Sequence, residues 1–236
     1  MRFICAVPAL NEESCLENTV RNLREFFDGQ YPHHHFTLII ADNGSNDATK
    51  HIGEKLKRTV PGVEYQYTPY RGKGRAIQNA WKLHEADACF FTDADLAYGL
   101  NTVGHVINAL AEGAPIVSAS RFVDGSSEHQ PFLRKIISRT YNKVLSILFP
   151  HQFTDAQAGC KGVQMSMYQT LAPHLIEETG WFFDTHLLLL AEKYGHTIYE
   201  VPAENVDPRP SLPKLSALIT LPLGLLRLRL FGLEKK

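Results

Sequence analysis

The strongest constraint on the fold is a short apolar run that leads directly into two carboxylates. Residues 88–91, Ala-Cys-Phe-Phe, precede Thr92, Asp93, Ala94 and Asp95. The run is short and aromatic, so it predicts a buried strand rather than a helix. Side chains two apart at a strand end point to the same side, so Asp93 and Asp95 can converge. Such a pair is stabilised by a cation, and hard oxygen ligands favour Mg²⁺ or Mn²⁺. An isolated Asp-x-Asp is also compatible with a solvated turn.

The chain before this strand alternates between strand and helix patterns. Strands are predicted at residues 3–7, 36–40 and 63–67, with a helix after each. Repeated strand–helix units predict a mostly parallel sheet with helices on both faces. In such sheets ligands bind beyond the carboxyl ends of the strands. Polar residues follow three of these ends and are expected to line one crevice: Asn11-Glu12, Asp42-Asn43 and Asp93-Ala94-Asp95.

The second half continues this single α/β domain. We expect a strand over 115–120, a basic helix over 132–148, a polar loop over 155–161, a helix over 184–193 and a strand over 197–201. No repeat or low-complexity linker interrupts them. We therefore predict one domain over residues 1–214 and an apolar, basic tail over 215–236.

Composition excludes several classes of protein. With 44% hydrophobic and 21% charged residues, the chain can bury a core. A formal charge of −1 argues against nucleic acid as a partner. The four cysteines are scattered without a C-x-x-C pair, as in a reduced intracellular protein. We expect neither a leader peptide nor a membrane-spanning helix.

The polar strand ends, taken in order, resemble inverting family 2 glycosyltransferases of the GT-A fold. The early motifs are Val7-Pro8-Ala9-Leu10-Asn11-Glu12-Glu13, Asp42-Asn43-Gly44-Ser45-x-Asp47, Gly72-Lys73-Gly74 and Asp93-Ala94-Asp95. The later ones are Ala119-Ser120-Arg121, Asp155-x-Gln157-x-Gly159-x-Lys161, Gly180-Trp181-x-Phe183-Asp184 and Glu200-Val201-Pro202. These later segments are similar to dolichyl-phosphate glucose and mannose synthases and to bacterial polyprenyl-phosphate glycosyltransferases. Each motif alone is weak, whereas their order and spacing are specific.

The resemblance implies a donor side that holds a nucleotide diphosphate sugar. Asp95 would bind Mg²⁺ or Mn²⁺, with Asp93 as a second ligand or on the ribose, and the ion would offset charge on the leaving diphosphate. Lys73 would lie near the base or the phosphates. The residues assigned to the nucleotide sugar are Pro8, Leu10, Glu12, Asp42, Lys73, Asp93, Ala94, Arg209 and Lys214.

The resemblance also implies an acceptor side for a polyprenyl or dolichyl phosphate. Arg121 and Arg134 suit a phosphate, because guanidinium groups match its geometry. A lipid phosphate is already deprotonated near neutral pH, so it needs positioning more than a general base. Gln157 and Asp184 are assigned to the acceptor, and Asp155 would orient the arginines or the sugar. A hydroxyl acceptor would instead require Asp155 or Asp184 as a base.

Some residues depart from the family pattern. Ala97 stands where the mannose synthases offer a glutamine to the cation, and Asn43 stands where aspartate is common. His186 lies where relatives often carry glutamate. The 155–161 loop is similar to that of glucose synthases, which slightly favours a UDP-sugar over GDP-mannose. A soluble or glycolipid hydroxyl acceptor, and a nucleotide-sugar-binding scaffold without catalysis, remain alternatives.

Two segments bear on a membrane partner. The tail over 215–236 is rich in leucine and contains Arg227 and Arg229, so it either packs on the domain or lies at a membrane surface. We favour the membrane, which places the enzyme peripherally on the cytoplasmic face. On the helix over 132–148 we expect Lys135 and Lys143 to form a solvated basic face.

Overall fold

A computed structural model describes residues 1–129, 132–175, 182–206, 224–226 and 229. Within this part of the chain, strands and helices alternate along most of the sequence. The strands are β1 (Arg2–Ala9), β2 (His35–Asp42), β3 (Val63–Tyr67), β4 (Ala88–Thr92), β5 (Ile116–Ser120), β6 (Ser127–His129), β7 (Cys160–Gln164), β8 (Tyr199–Pro202) and β9 (Glu204–Val206). The helices are α1 (Leu16–Gln30), α2 (Thr49–Thr59), α3 (Lys73–Trp81), α4 (Gly99–Ala111), α5 (Phe132–Leu148), α6 (Met165–Leu171) and α7 (Phe183–Lys193), with a 3₁₀ turn at Ala172–His174.

Seven of the strands form one mostly parallel sheet in the order β3-β2-β1-β4-β7-β5-β8. Only β7 runs antiparallel to its neighbours, β4 and β5. Strands β6 and β9 pair separately. Because β1, β2 and β4 are parallel neighbours, the loops that follow them leave the sheet at the same edge.

Two apolar layers cover the two faces of this sheet. Alternate β1 side chains point to opposite faces, so Phe3 and Cys5 join one layer and Ile4 the other. Helices α1, α2 and α4 cover the first face, and α3, α6 and α7 cover the second. On α1 the predicted stripe is buried, and its members are Leu16, Val20, Leu23 and Phe27. This arrangement confirms the predicted α/β fold with helices on both faces.

The prediction of a polar loop over residues 155–161 is partly wrong. The loop ends before Cys160, where strand β7 begins, and β7 lies between β4 and β5. A buried lysine and a glycine interrupt the apolar pattern of β7, which hides it in the sequence. Gly162 is required there, since a Cβ atom would lie 2.6 Å from Leu110 and 3.0 Å from Phe90.

The tail lies largely outside the described residues. Of 215–236, only 224–226 and 229 are described, and these are helical. Leu225 is buried in the second apolar layer, and a Cβ atom on Gly224 would lie 2.6 Å from the ring of Phe182. This short stretch therefore packs on the domain. No described helix is both long enough and apolar enough to cross a bilayer.

Candidate active site

The loops after β1 and β2 are tied together at the carboxyl edge of the sheet. Ala9 and Asp42, the last residues of the two strands, are direct neighbours. Beyond them, the Asn11 N–H donates to Ser45 Oγ at 3.0 Å, and Asn11 Oδ1 accepts from the Asn46 N–H at 2.9 Å. Asn11 has a φ of 58°, a left-handed conformation that asparagine tolerates. The two polar loops thus form one wall, as the sequence predicts.

Asp42 is held rigidly in this wall. It is fully buried, with Oδ2 accepting from the Tyr65 hydroxyl at 2.8 Å and Oδ1 from the Ser45 N–H at 2.9 Å. Burial and the neighbouring Asp42 raise the pKa of Tyr65, so the phenol stays a donor. Among the other predicted donor-side residues, Pro8 is buried within β1, whereas Leu10 and Glu12 are half-buried at the start of the next loop.

Asn43, which stands where the resemblance implies an aspartate, makes two hydrogen bonds with its amide group. Its Nδ2 donates to the Ala9 carbonyl at 2.9 Å, and its Oδ1 accepts from the Gly72 N–H at 3.4 Å. The amide therefore links β1 to the loop that carries Lys73. A carboxylate could not donate to the Ala9 oxygen.

Lys73 connects two parts of the chain that are distant in sequence. Its Nζ lies 3.0 Å from Asp93 Oδ1 and 3.2 Å from Asp184 Oδ2. Burial disfavours the ammonium, but Asp184 and Asp93 together raise the pKa of Lys73. Close packing of α3 on α7 makes this contact possible, because a Cβ atom on Gly74 would lie 2.4 Å from Phe183 Cβ. Lys73, expected near the nucleotide, thus forms ion pairs with two carboxylates.

The Asp-x-Asp segment places its two carboxylates differently. Asp93 points under the loop after α5, where a Cβ atom on Gly159 would lie 1.8 Å from Asp93 Oδ2. Burial and the charge of Asp95 raise the pKa of Asp93, while Lys73 opposes this shift. Asp95 is half-buried, and its Oδ1 accepts from the Ala97 N–H at 3.2 Å. Ala94 is buried, and its carbonyl accepts from the Thr19 hydroxyl at 2.7 Å.

The residues present fit a divalent cation that is shared with a substrate. No group of three or more His, Cys, Asp or Glu in the described residues forms a metal cage. Magnesium and manganese are often held instead by one or two carboxylates together with substrate phosphates. Asp95 and Asp93 offer such carboxylates, and Lys73 already binds one oxygen of Asp93. Asp95 is therefore the better placed first ligand.

On the other side of β4, Arg121 and Asp155 form a buried ion pair. Arg121 Nε donates to Asp155 Oδ2 at 2.6 Å, and Nη2 donates to Oδ1 at 2.8 Å. The side chains are 5% and 0% exposed. Burial opposes ionisation of Asp155, but Arg121 overcomes it and lowers the pKa of the carboxyl group. Arg121 Nη2 also donates to Ser138 Oγ of α5 at 2.8 Å. Arg121, predicted to bind the acceptor phosphate, and Asp155, predicted to orient the arginines or the sugar, therefore hold each other.

The loop that carries Asp155 is fixed by a residue to which sequence reasoning assigned no role. The carboxylate of Glu200, on β8, accepts from the Thr154 N–H at 2.9 Å and from the Asp155 N–H at 3.2 Å. The Glu200-Val201-Pro202 motif includes this residue, but Asp155, whose N–H donates to Glu200, is 45 residues away in the sequence. Gln157, predicted on the acceptor side, donates to Thr185 Oγ1 at 2.7 Å.

Asp184 and Lys161 are buried between the donor and acceptor sides. Asp184 is 1% exposed, and among the described residues its Oδ1 has no hydrogen-bond partner. Lys161 is fully buried on β7, and its Nζ donates to the Ala158 carbonyl. Burial lowers the pKa of Lys161, and the carboxylates of Asp184 and Asp155 oppose the shift.

The structure thus brings most predicted site residues to one edge of the sheet. Three positions cannot be placed. Arg134 lies in the first turn of α5, but its side chain is not described, and Arg209 and Lys214 lie outside the described residues.

Comparison with known proteins settles the family. Residues 5–172 match the profile of Glycosyl transferase family 2. The chain belongs to this family. Membership confirms the family prediction made from the ordered motifs.

Two similar proteins carry the names of glycosyltransferases. Glycosyltransferase AglD of Haloferax volcanii is 26% identical over 200 residues, which make up 84% of this chain but 32% of AglD. Dolichyl-phosphate beta-glucosyltransferase ALG5D of Trichomonas vaginalis is 27% identical over 236 residues, covering 95% of this chain and 72% of that protein. The chain thus spans about a third of AglD and most of ALG5D.

Solved structures show the same fold. Glucosyl-3-phosphoglycerate synthase from Mycobacterium tuberculosis, in complex with Mn²⁺, UDP and glucosyl-3-phosphoglycerate, superposes with a TM-score of 0.72 at 20% identity. The alignment covers 97% of this chain and 79% of the synthase. The likeness confirms the predicted GT-A architecture for the family 2 chain.

Proposed function

We propose that this chain transfers a hexose, with inversion, from a nucleotide diphosphate sugar to a polyprenyl or dolichyl phosphate. A UDP-sugar is favoured slightly over GDP-mannose as the donor. Pro8, Leu10, Glu12 and Asp42 would hold the nucleoside. The acceptor is proposed to lie at the cytoplasmic face of a membrane. The names of the relatives support this choice, since ALG5D is a dolichyl-phosphate glucosyltransferase.

The buried pair of Arg121 and Asp155 carries the proposal. Both oxygens of Asp155 accept from Arg121, and its pKa is lowered, so it is a poor proton acceptor. An acceptor hydroxyl needs a base to remove its proton. A phosphate monoester does not, because it is already an anion near neutral pH. The state of Asp155 therefore favours a phosphate nucleophile over a hydroxyl.

On the donor side, the residues act mainly by binding and orienting. The fixed carboxylate of Asp42 suits a hydrogen bond to the nucleoside. Lys73 lies at the same edge of the sheet as Asp95. Asp95, with Asp93 beside it, would hold Mg²⁺ or Mn²⁺, and the bound ion would offset the charge of the leaving diphosphate. Orientation of two anionic substrates in one cleft can supply a large share of the rate enhancement.

One observation supports the rival acceptor, a soluble or glycolipid hydroxyl. Asp184 has a buried carboxylate oxygen without a described hydrogen-bond partner, which a hydroxyl acceptor could donate to. Its other oxygen lies 3.2 Å from the Lys73 ammonium. The two hypotheses differ in the acceptor that is consumed and in the ionisation on which the rate depends.

The first experiment measures binding of UDP and GDP by calorimetry, with and without Mn²⁺, to the wild type and to Asp95→Asn. We expect metal-dependent binding of one nucleotide, and loss of the metal dependence in the variant. Binding of neither nucleotide would contradict the donor assignment. Metal-independent binding, with no turnover of any sugar nucleotide, would favour a scaffold.

The second experiment compares a short polyprenyl phosphate with the matching polyprenol as acceptor. The phosphate should be glycosylated and the alcohol should not. The rate should fall below about pH 6, where the phosphate monoester changes from the dianion to the singly protonated monoanion. Glycosylation of the alcohol, with loss of activity in Asp184→Asn, would establish the hydroxyl mechanism instead.

A further inference from the structure

The two residues that precede the members of the buried ion pair are themselves joined. Ser120 comes directly before Arg121, and Thr154 comes directly before Asp155. Ser120 Oγ and Thr154 Oγ1 lie 2.7 Å apart, the usual distance of a hydrogen bond between hydroxyl groups. The Arg121 N–H also donates to Asp155 Oδ2 at 3.2 Å. The end of β5 and the loop after α5 are therefore connected at two successive positions, in addition to the side-chain ion pair.

The groups at the two ends of this connection fix the direction of its hydrogen bonds. Thr154 Oγ1 donates to Glu200 Oε1 at 2.9 Å, since a glutamate carboxylate at neutral pH is an acceptor. A hydroxyl group has one proton to donate, so the Ser120 hydroxyl must be the donor to Thr154 Oγ1. Ser120 Oγ in turn accepts from the Phe122 N–H at 3.2 Å. The hydrogen bonds thus run in one direction, from the end of β5 to Glu200 on β8.

Glu200 holds the backbone of the loop as well. Its Oε2 accepts from the Thr154 N–H at 2.9 Å, and its Oε1 accepts from the Asp155 N–H at 3.2 Å. Three donors from two successive residues therefore converge on one half-buried carboxylate. Hydrogen bonds to an ionised acceptor are roughly twice as strong as those between neutral groups. Because Glu200 lies beside Ser118 in the parallel pairing of β8 with β5, it fixes the loop relative to the sheet.

We propose that Glu200 is a positioning residue for the acceptor phosphate. By holding the N–H groups of Thr154 and Asp155, it sets the place of the Asp155 carboxylate, and that carboxylate orients the guanidinium of Arg121. The inference rests on the proposed function and on the assignment of Arg121 to the acceptor. Loss of the Glu200 charge should weaken use of the acceptor and leave nucleotide binding intact, because the loops after β1 and β2 lie on the other side of β4.

The test is steady-state kinetics of Glu200→Gln with a short polyprenyl phosphate. The donor is a UDP-hexose or GDP-mannose, whichever the wild type turns over. Glutamine keeps the shape of the side chain, but its NH₂ group would face the N–H donors of the loop. The KM for the acceptor should rise about tenfold or more, with a smaller change in kcat. Calorimetric binding of UDP or GDP with Mn²⁺ should stay within about twofold of the wild type.

A second pair of variants tests the hydroxyl group alone. Thr154 is exposed, so its side chain can be changed without opening the core. Thr154→Val removes the hydroxyl that links Ser120 to Glu200 and should raise the KM for the acceptor about threefold to tenfold. Thr154→Ser keeps the hydroxyl and should restore the wild-type value. A packing effect would give the opposite order, because valine is closer than serine to threonine in size.

A matched control changes a second glutamate that accepts from the same segment. Glu192 Oε1, on α7, accepts from the Gln152 N–H at 2.9 Å, two residues before Thr154. Glu192→Gln makes the same chemical change to the same kind of hydrogen bond, but upstream of the ion pair. It should leave the KM for the acceptor unchanged. Urea unfolding followed by circular dichroism shows whether each variant is folded.

Arg121 provides a measurement that needs no substrate. Its Nε–H donates to Asp155 Oδ2, so this proton should exchange slowly with water and give a resolved signal in heteronuclear NMR spectra. Arg121→Lys lacks the Nε–H and therefore assigns the signal. The exchange should be about tenfold faster in Glu200→Gln, because a looser Asp155 releases the guanidinium more often, and it should be unchanged in Glu192→Gln.

Each outcome bears on the proposal. Where the wild type is active, an unchanged KM for the acceptor in folded Glu200→Gln would overturn it, whatever the exchange rate. Equal losses in Glu200→Gln and Glu192→Gln, or an equal loss of nucleotide binding, would indicate general damage and also overturn it. If the wild type glycosylates no acceptor, the proposed function fails, and the exchange rate of the Arg121 Nε–H alone decides whether Glu200 positions the ion pair.

Discussion

The buried ion pair of Arg121 and Asp155 allows a quantitative prediction about stability. Asp155→Asn keeps the shape of the side chain but removes its charge. The aspartate accepts four hydrogen bonds, from Nε and Nη2 of Arg121 and from the N–H groups of Arg121 and Gln157. The asparagine has one acceptor oxygen, and its NH₂ group would face donors. The variant therefore leaves a guanidinium buried without its counter-charge.

Loss of one partner of a buried pair costs about 3–5 kcal/mol in the free energy of unfolding. We expect Asp155→Asn to fall in this range in urea titrations followed by circular dichroism. The control is Asp28→Asn, which breaks a surface pair with Arg24 in which the aspartate side chain is 66% exposed. That change should cost less than about 1 kcal/mol.

Two further measurements distinguish the loss of the ion pair from a general loss of stability. The double variant Arg121→Met, Asp155→Leu should be more stable than Asp155→Asn, because it removes both buried charges. The pKa of Asp155 is lowered on folding, so its contribution is present above about pH 4 and is lost as the pH falls below that value. The gap between the wild type and Asp155→Asn should narrow there. A gap below about 1 kcal/mol at neutral pH would refute the reasoning.

Three other perturbations follow from single contacts. Gly159→Ala should displace Asp93, because the new Cβ atom would lie 1.8 Å from Asp93 Oδ2, and calorimetry should show weaker nucleotide binding. Tyr65→Phe removes the 2.8 Å hydrogen bond to Asp42 and should cost about 0.5–1.5 kcal/mol in urea unfolding. The pKa of Lys161 is lowered on folding, so below about pH 10 the unfolded state binds more protons and stability rises with pH. Lys161→Met should abolish its share of that rise in unfolding curves measured between about pH 8 and 10.

Each of these predictions has a control or a contrary outcome. Gly29→Ala is the control for the glycine variant, because no atom lies within 4 Å of its Cβ position in α1, and it should leave nucleotide binding unchanged. A Tyr65→Phe variant as stable as the wild type would mean that water satisfies Asp42 equally well. An unchanged pH slope in Lys161→Met would mean that its ammonium is not desolvated.

Local patterns were sufficient to predict most elements of the fold. The spacing of Leu16, Val20, Leu23 and Phe27 predicted the buried face of α1, and the bounds predicted for the basic helix are those of α5. These features depend on residues close in sequence, whose periodicity is set by the helix itself. Polar residues after β1, β2 and β4 predicted the position of the site for a similar reason, since parallel strands end at one edge.

Contacts between distant segments could not be predicted in this way. Lys73 and Asp184 are 111 residues apart, and their contact follows from the packing of Gly74 against Phe183. The family resemblance placed Lys73 near the base or the phosphates, and it gave no sign of the contact with Asp184. Strand β7 was missed because Lys161 breaks its apolar pattern. Tertiary packing determines both the Lys73–Asp184 contact and the formation of β7, and local sequence propensity does not indicate either.

The distribution of charge argues for different tasks on the two sides of the site. On the acceptor side, the ion pair described above is balanced, so an incoming phosphate meets no excess negative charge from it. On the donor side, Lys73 pairs with Asp93 and Asp184, the charge of Lys161 also acts on Asp184, and Asp95 lies beside Asp93. Among the described residues, the three carboxylates outnumber the two ammonium groups, so this side carries excess negative charge and an anionic diphosphate would be repelled there. A divalent cation that enters with the nucleotide removes this imbalance, so nucleotide affinity should depend on the metal much more steeply than acceptor affinity does.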